Sequence, residues 1–236
     1  MLKTTADRPG TPNRALMALG ILQGYLRHPV WFLLTTVLTL PRFKRRLPRD
    51  LPRDFVGITA LQTWMYLRLK EQVGREKAFE LVRACILPIG LALQQGSLRA
   101  VEEPRTFENL VVYQQRTNRE GPTRWNKMEV LEQSEHRYEF RVSRCLFHDL
   151  YTQLGTPELT RLMCEVDNAI FNTYLPEQVT FHRNGIGNRL ADGAPECHFV
   201  LEHLPPARGT GGREDVDNEY GPRIQQTGNP PLHSKA

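Results

Sequence analysis

The sequence has no apolar run long enough to cross a bilayer. Its main apolar stretch, Ala15 to Leu40, is cut in two by Arg27, His28 and Pro29. Neither piece reaches the roughly 20 residues that a spanning helix needs. A strong excess of one charge is also missing, since 31 Lys+Arg stand against 26 Asp+Glu for a formal +5. That balance is too mild to argue for nucleic acid, though it suits an anionic substrate or an anionic membrane surface. Cysteine is scarce: Cys85, Cys145, Cys164 and Cys197 are the only four in 236 residues. Scattered in this way they do not make a disulfide scaffold, and no pair forms a C-x-x-C knuckle. Met1 to Gly10 is polar, so no secretory signal is expected to open the chain. The expectation is a cytoplasmic protein whose reduced thiols can serve as nucleophiles or ligands.

What is present is enough for one well-buried domain, or one domain with an accessory helical layer: 40% of the residues are hydrophobic and 24% charged. Residues 1 to 13 read as a loose leader. Trp31 to Leu40 is followed at once by Arg42, Lys44, Arg45, Arg46, Arg49 and Arg53. Two readings of residues 15–53 stay open. One is a peripheral contact with the inner face of a membrane, since an apolar segment with a basic flank can lie in the interface. The other is a buried helical hairpin followed by a solvated basic loop. Leu47 to Asp54 reads LPRDLPRD, and Pro41, Pro48 and Pro52 argue against a regular helix there, so it is expected to be a linker.

Asp54 is expected to cap a helix running to about Gln72, with Leu61, Trp64, Met65 and Arg68 at helical spacing. Gly74 punctuates, and a second helix from Arg75 carries Ala78, Val82, Cys85, Ile86 and Ile89 along one stripe, with Pro88 expected to kink it. Cys85 reads as a small core residue. A helix over Thr106 to Arg116 leads to a turn at Gly121–Pro122. Alternation then marks strands around Met128–Leu131 and Tyr138–Val142. Leu146 to Leu154 reads as a helix stopped at Gly155. Another follows to about Tyr174, with Thr156 as its cap and Pro157 at its first position. Val179 to Arg183 and Cys197 to Glu202 alternate again as strands. Pro205 to Ala236 is too poor in large apolar residues to offset ordering entropy and is expected to be a disordered tail. The expected class is α+β: an antiparallel sheet with helices packed on one face, preceded by a helical N-terminal layer. The divisions fall at residues 1–53, 54–204 and 205–236.

The chemistry-bearing residues gather in the second half. Cys145 and His148 are three apart where a strand feeds a helix. Cys164 and Asp167 are three apart within a helix and so share a face. Cys197 opens the last strand, on the same face as Phe199 and opposite His198. His182 and Arg183 end the preceding strand. Cys145, His148, Cys164 and Asp167 are of a type to bind zinc, but they lie on different helices, so no metal and no cofactor is assigned.

From Tyr138 onward the order of these pieces resembles the L-2-amino-thiazoline-4-carboxylic acid hydrolase family. The landmarks are a strand ending in Cys145, a short aromatic helix to Leu154–Gly155, Pro157–Glu158–Leu159, then Cys164 with Asp167. A Pro-x-x-Val strand follows from Pro176 to Arg183, then Gly193 with Cys197 and Phe199. A looser similarity extends upstream through Gly74–Arg75–Glu76–Lys77–Ala78 to about Asp54. The closing G-x-x-x-C-x-F is also similar to 4-vinyl-reductase-type ligand-binding domains.

The hydrolase resemblance implies ring opening of a 2-aminothiazoline to an N-carbamoyl cysteine, by a hydrolase acting on C–N or C–S bonds of a small cyclic amidine. A cysteine thiolate is the expected nucleophile. Cys164 is the first choice because Asp167 sits one turn away, with Cys145 next and Cys197 converging on the same pocket. His148, as imidazolium, is expected to bring the thiol toward neutral pKa. Asp167 would orient the base or bind the exocyclic amine. Arg183, with His182 beside it, would hold the substrate carboxylate. The alternative is a non-catalytic module that binds a small ligand or a metal. The expected partner is a small-molecule substrate and not nucleic acid, and nothing in the sequence fixes the oligomeric state.

Overall fold

The computed structural model describes residues 14–99, 104–121, 123–184 and 187–204. The leader and the tail expected at 1–13 and 205–236 lie outside these. The architecture is α+β, with a helical front half leading into a four-stranded antiparallel sheet.

Four helices make the front half: α1 (Arg14–Leu22), α2 (Pro29–Lys44), α3 (Arg53–Val73) and α4 (Arg75–Arg99). Pro29 sits at the start of α2, where its missing N–H costs nothing. Contrary to expectation, α2 runs through Pro41. This proline is exposed and three residues from the helix end, so the only backbone bond it removes is the one to the Val37 carbonyl. α2 docks on α3 through a polar seam: Arg68 Nη1 donates to Thr36 Oγ1 at 2.7 Å and Trp64 Nε1 to Thr39 Oγ1 at 2.8 Å. Phe43 stacks on Trp64 at 4.9 Å. Leu22, Phe32, Phe55, Tyr66, Leu69 and Val82 belong to the core these helices share with α6 and α7.

Asp54 is not the cap of α3. The helix has already begun at Arg53, and the Asp54 carboxylate accepts from Phe55 N at 3.1 Å while pairing with Arg124. α4 is one continuous helix that contains Pro88. Cys85 is buried in its packed side, and burial pushes its thiol up to about 11.

The back half begins with α5 (Phe107–Glu120), where Thr106 Oγ1 accepts from Asn109 N at 3.1 Å as a side-chain cap. Then come β1 (Lys127–Gln133), β2 (Arg137–Arg144), α6 (Leu146–Gln153), α7 (Glu158–Tyr174), β3 (Val179–His182), a 3-10 turn over Leu190–Asp192, and β4 (Cys197–His203). Thr156 is buried rather than capping, and its hydroxyl donates back to the Tyr151 carbonyl at 3.3 Å. Arg75 anchors the opening of α7 through Glu158, at 2.9 Å, and Tyr66 donates to the same carboxylate.

The strand order is β1-β2-β4-β3, with Tyr138 opposite Leu201, Phe140 opposite Phe199 and Val142 opposite Cys197. Alternation divides the sheet. Tyr138, Phe140, Val142, Phe181, Phe199 and Leu201 line the inner face under α5 and α7. Phe140 stacks on Phe199 at 4.7 Å, and Phe171 of α7 meets Phe181 at 4.6 Å. The outer face is a lattice of charge. Arg137 pairs with Glu132, Glu139 and Glu202, and Arg141 with Glu129 and Glu196. His198 lies 2.9 Å from both Glu139 and Glu196. Where α4 crosses α7, Gly90 faces Val166 so closely that a Cβ at position 90 would stand 3.0 Å from a valine methyl.

Candidate active site

Three thiols reach one place from three elements. Cys145 ends the β2–α6 junction at the N-terminal position of α6, with the backbone amides of Phe147 and His148 facing its sulfur but closing no capping bond. Cys164 and Asp167 project from one face of α7. Cys197 opens β4, and its sulfur accepts from the backbone N–H of Leu190 at 3.1 Å. Cys145 lies within electrostatic reach of Cys164 and Cys197, and Cys164 within reach of Cys197, Asp167, Arg183 and Arg189.

Arg183 stands just past β3, on the same side of the strand as Phe181, and is fully buried. Its guanidinium lies over the Phe199 ring at 4.1 Å. Nη2 donates to Asn168 Oδ1 at 3.2 Å and stands 3.8 Å from Asp167 Oδ2, an ion pair without a hydrogen bond. Nε and Nη1 have no partner among the described residues. Buried charged donors left in this way are costly, and they mark where an anionic group of a ligand would be received. Arg189, also buried, is held by Asp192 at 2.9 Å and acts on Cys164 and Cys197.

The electrostatics reverse one expectation. Burial raises all three thiols, Cys145 to about 12 and Cys164 to about 11, against the smaller lowering by nearby amides and arginines. The resting site therefore holds thiols, not a thiolate. His148 acts on Cys145 through its backbone, and its Nδ1 is buried without a partner among the described residues. The imidazolium–thiolate pair expected from the family resemblance is not formed. Burial also pushes Asp167 up to about 6, more than the Arg183 charge can offset, although 32% of its side-chain surface stays accessible. Cys145 and Cys164 are half-buried as well, while Cys197 and Arg183 are buried.

His182 does not join this group. Alternation sends it to the outer face, 3.4 Å from Glu202. The sequence reading missed Asn168 and Arg189. Asn168 is adjacent to Asp167 and could have been suspected, but nothing in the spacing shows that Arg189 is buried. Among the described residues, no group of three or more His, Cys, Asp or Glu side chains is arranged to hold a metal ion.

Compared with known protein families, residues 57–201 match L-2-amino-thiazoline-4-carboxylic acid hydrolase. The chain belongs to that family. No curated protein and no solved structure matches it. The hydrolase match takes in all three clustered thiols, Asp167, Arg183 and Arg189. It begins inside α3 and leaves α1, α2 and the basic linker outside the hydrolase segment.

Proposed function

We propose that the protein is a hydrolase that opens a small cyclic amidine bearing a carboxylate, such as 2-aminothiazoline-4-carboxylate, through a cysteine nucleophile. The observation that carries this reading is the convergence of Cys145, Cys164 and Cys197 with Asp167 beside a buried arginine that has two unpartnered donors. The carboxylate of the substrate pairs with Arg183. This places the ring carbon between sulfur and nitrogen over the thiols.

Because the Cys164 thiol is raised, it needs a base at the moment of attack. Asp167, ionised above about 6, is that base one helical turn away. The sulfur adds to the amidine carbon as Asp167 takes its proton. The ring C–S bond then breaks, and the departing sulfur receives that proton. Water adds to the same carbon, one of its protons passing through Asp167 to the former ring nitrogen; as the carbonyl forms, the other goes to the Cys164 sulfur, which leaves as the thiol. One water is consumed and N-carbamoyl cysteine is released.

The test is incubation with 2-aminothiazoline-4-carboxylate, followed by mass spectrometry and titration of new thiol. N-carbamoyl cysteine with one new thiol per turnover is the expected result. S-carbamoyl cysteine, with no new thiol, would mean that the ring C–N bond breaks instead. No turnover, with no protection of Cys164 from alkylation by the substrate, would overturn the reading in favour of a binding module.

A further inference from the structure

α2 carries large apolar side chains on both of its sides. The inner side seats Phe32, Thr36 and Phe43 in the core. The outer side carries Val30, Trp31, Leu34, Val37 and Leu38, each 49–66% exposed. These positions recur at helical spacing and form one stripe along the helix. A stripe of large apolar side chains marks an interaction surface rather than an ordinary solvated face. At 16 residues the helix is about 24 Å long, and among the described residues no helix is long and apolar enough to cross a membrane.

The chain turns basic where the stripe ends. Arg42, Lys44, Arg45, Arg46, Arg49 and Arg53 are all exposed, and among the described residues none of the six forms an ion pair. Lys44, Arg45, Arg49 and Arg53 line a crevice of about 550 Å³ floored by Leu47 and Leu51. The molecule pairs its arginines on the sheet, so the absence of pairing here is local.

We propose that the outer side of α2 and the crevice after it form an in-plane docking surface for an anionic phospholipid bilayer. Charge complementarity selects this occupant. An interface of anionic headgroups over hydrocarbon takes up an apolar stripe with a set of unpaired cations at its end. Trp31 sits at the start of the helix, where an indole suits the headgroup level. Arginine and lysine stems can lie along the apolar surface while their charges reach phosphate. The unit lies outside the segment matched to the hydrolase family, so it can localise the catalytic body without taking part in its chemistry.

The full-length protein is mixed with vesicles of phosphatidylcholine alone or with phosphatidylglycerol added, and binding is read by co-sedimentation and tryptophan emission. Binding to the anionic vesicles is expected, falling as salt rises, with a blue shift that Trp31→Phe removes. Arg45→Gln with Arg49→Gln should weaken partitioning about thirty-fold, at roughly fivefold per cation. Leu34→Glu with Leu38→Glu changes only exposed positions, so circular dichroism and the thermal midpoint should hold while vesicle binding is lost. The proposal fails if the folded protein ignores anionic vesicles, or if neither double variant changes the binding. It also fails if the protein is a dimer that Leu34→Glu with Leu38→Glu turns into a monomer, because the stripe then belongs to a second copy. Displacement from vesicles by soluble glycerophosphate alone would likewise overturn it, since the crevice would then be a phosphate site.

Discussion

On β4, Cys197 and Phe199 turn toward α7, while His198 between them turns the other way, into Glu139 and Glu196. The two faces of the sheet use the same kinds of residue to opposite effect. On the outer face, burial works against the charge of Glu139, but Arg137 and His198 outweigh it and hold the carboxyl below its ordinary value. Burial likewise opposes the charge on His198, and Glu139 and Glu196 outweigh it to keep the imidazolium favoured. On the inner face burial wins. Asp167 rises to about 6 with Arg183 only 3.8 Å away. Charges on one side are satisfied and inert, and those on the other are held out of balance. That imbalance is what a proton-transferring site needs.

The sharpest way to break this contrast is Cys164→Ala. On the inner face it should lower ring-opening turnover by on the order of 10³-fold or more, with a thermal midpoint nearly unchanged because only one sulfur is lost. Cys164→Ser should be nearly as slow. If Cys145→Ala is the inactive variant and Cys164→Ala turns over normally, the two roles are exchanged.

Asp167→Asn should cost about 10²-fold in rate and remove the rise of activity expected of the wild type as pH climbs through about 6. The same variant tests the balance through stability. The folded carboxyl sits at about 6 against an ordinary 3.8, so the native state holds its proton longer than the unfolded chain. Its contribution is full below about 4 and is lost as pH rises past 6. Asparagine escapes that loss. The variant should therefore gain on wild type in unfolding free energy between pH 4 and pH 7, by on the order of 1–2 kcal/mol, read by denaturant titration at each pH.

Alkylation sharpens the comparison without any variant. Cys85 and Cys164 are both pushed up to about 11 by burial, but Cys164 is half-buried and Cys85 is closed off. Labelling of the native protein should reach Cys145 and Cys164 before Cys85 and should slow when substrate is present. Equal rates at Cys85 would mean that Cys145 and Cys164 are no more accessible than Cys85.

The smallest effect belongs to the outer face. His198→Gln should leave turnover intact and cost under about 1 kcal/mol, because the pairs are partly solvated. The pH dependence runs the same way as for Asp167, but here the variant loses at low pH instead of gaining at high pH. The His198 imidazolium is favoured in the fold, so its stabilisation is present below the ordinary histidine range and fades as pH rises above it. The deficit should show at pH 5 and vanish by pH 9. A loss of activity in this variant would dissolve the distinction between the two faces.

Much of this was legible in the chain, because periodicity carries it. The alternation of Tyr138, Phe140 and Val142 gave a strand and its buried face, and Cys164 with Asp167 gave a shared helix face. A helix was read from Thr106, and Thr106 proves to be its side-chain cap. Asp54 and Thr156 were themselves read as caps and are not, because a hydroxyl or carboxylate near a helix start takes whichever partner the fold brings: Arg124 for Asp54, the Tyr151 carbonyl for Thr156. His182 was assigned beside Arg183, but neighbours on a strand look opposite ways. What spacing cannot carry is depth. The upward shift of the thiols, the burial of Arg189 and the unpartnered edge of Arg183 all depend on how much protein lies above them, and residue order does not encode that. The outward stripe of α2 was half-legible: its apolarity was plain, but the side left uncovered was not.

Gly90 sets a manufacturing tolerance for this molecule. The α4–α7 crossing is gauged by the absence of a single carbon, and Val166, the residue gauged, lies between Cys164 and Asp167 along α7. Helix propensity favours alanine over glycine at such a position by up to about 1 kcal/mol. Alanine at 90 would nonetheless press a methyl into Val166, which must give by a few tenths of an ångström on the turn that also carries Cys164 and Asp167. The more helical variant would be the less accurately packed one at the turn that holds Cys164 and Asp167. At this crossing the chain is dimensioned for the placement of α7 rather than for the strength of α4.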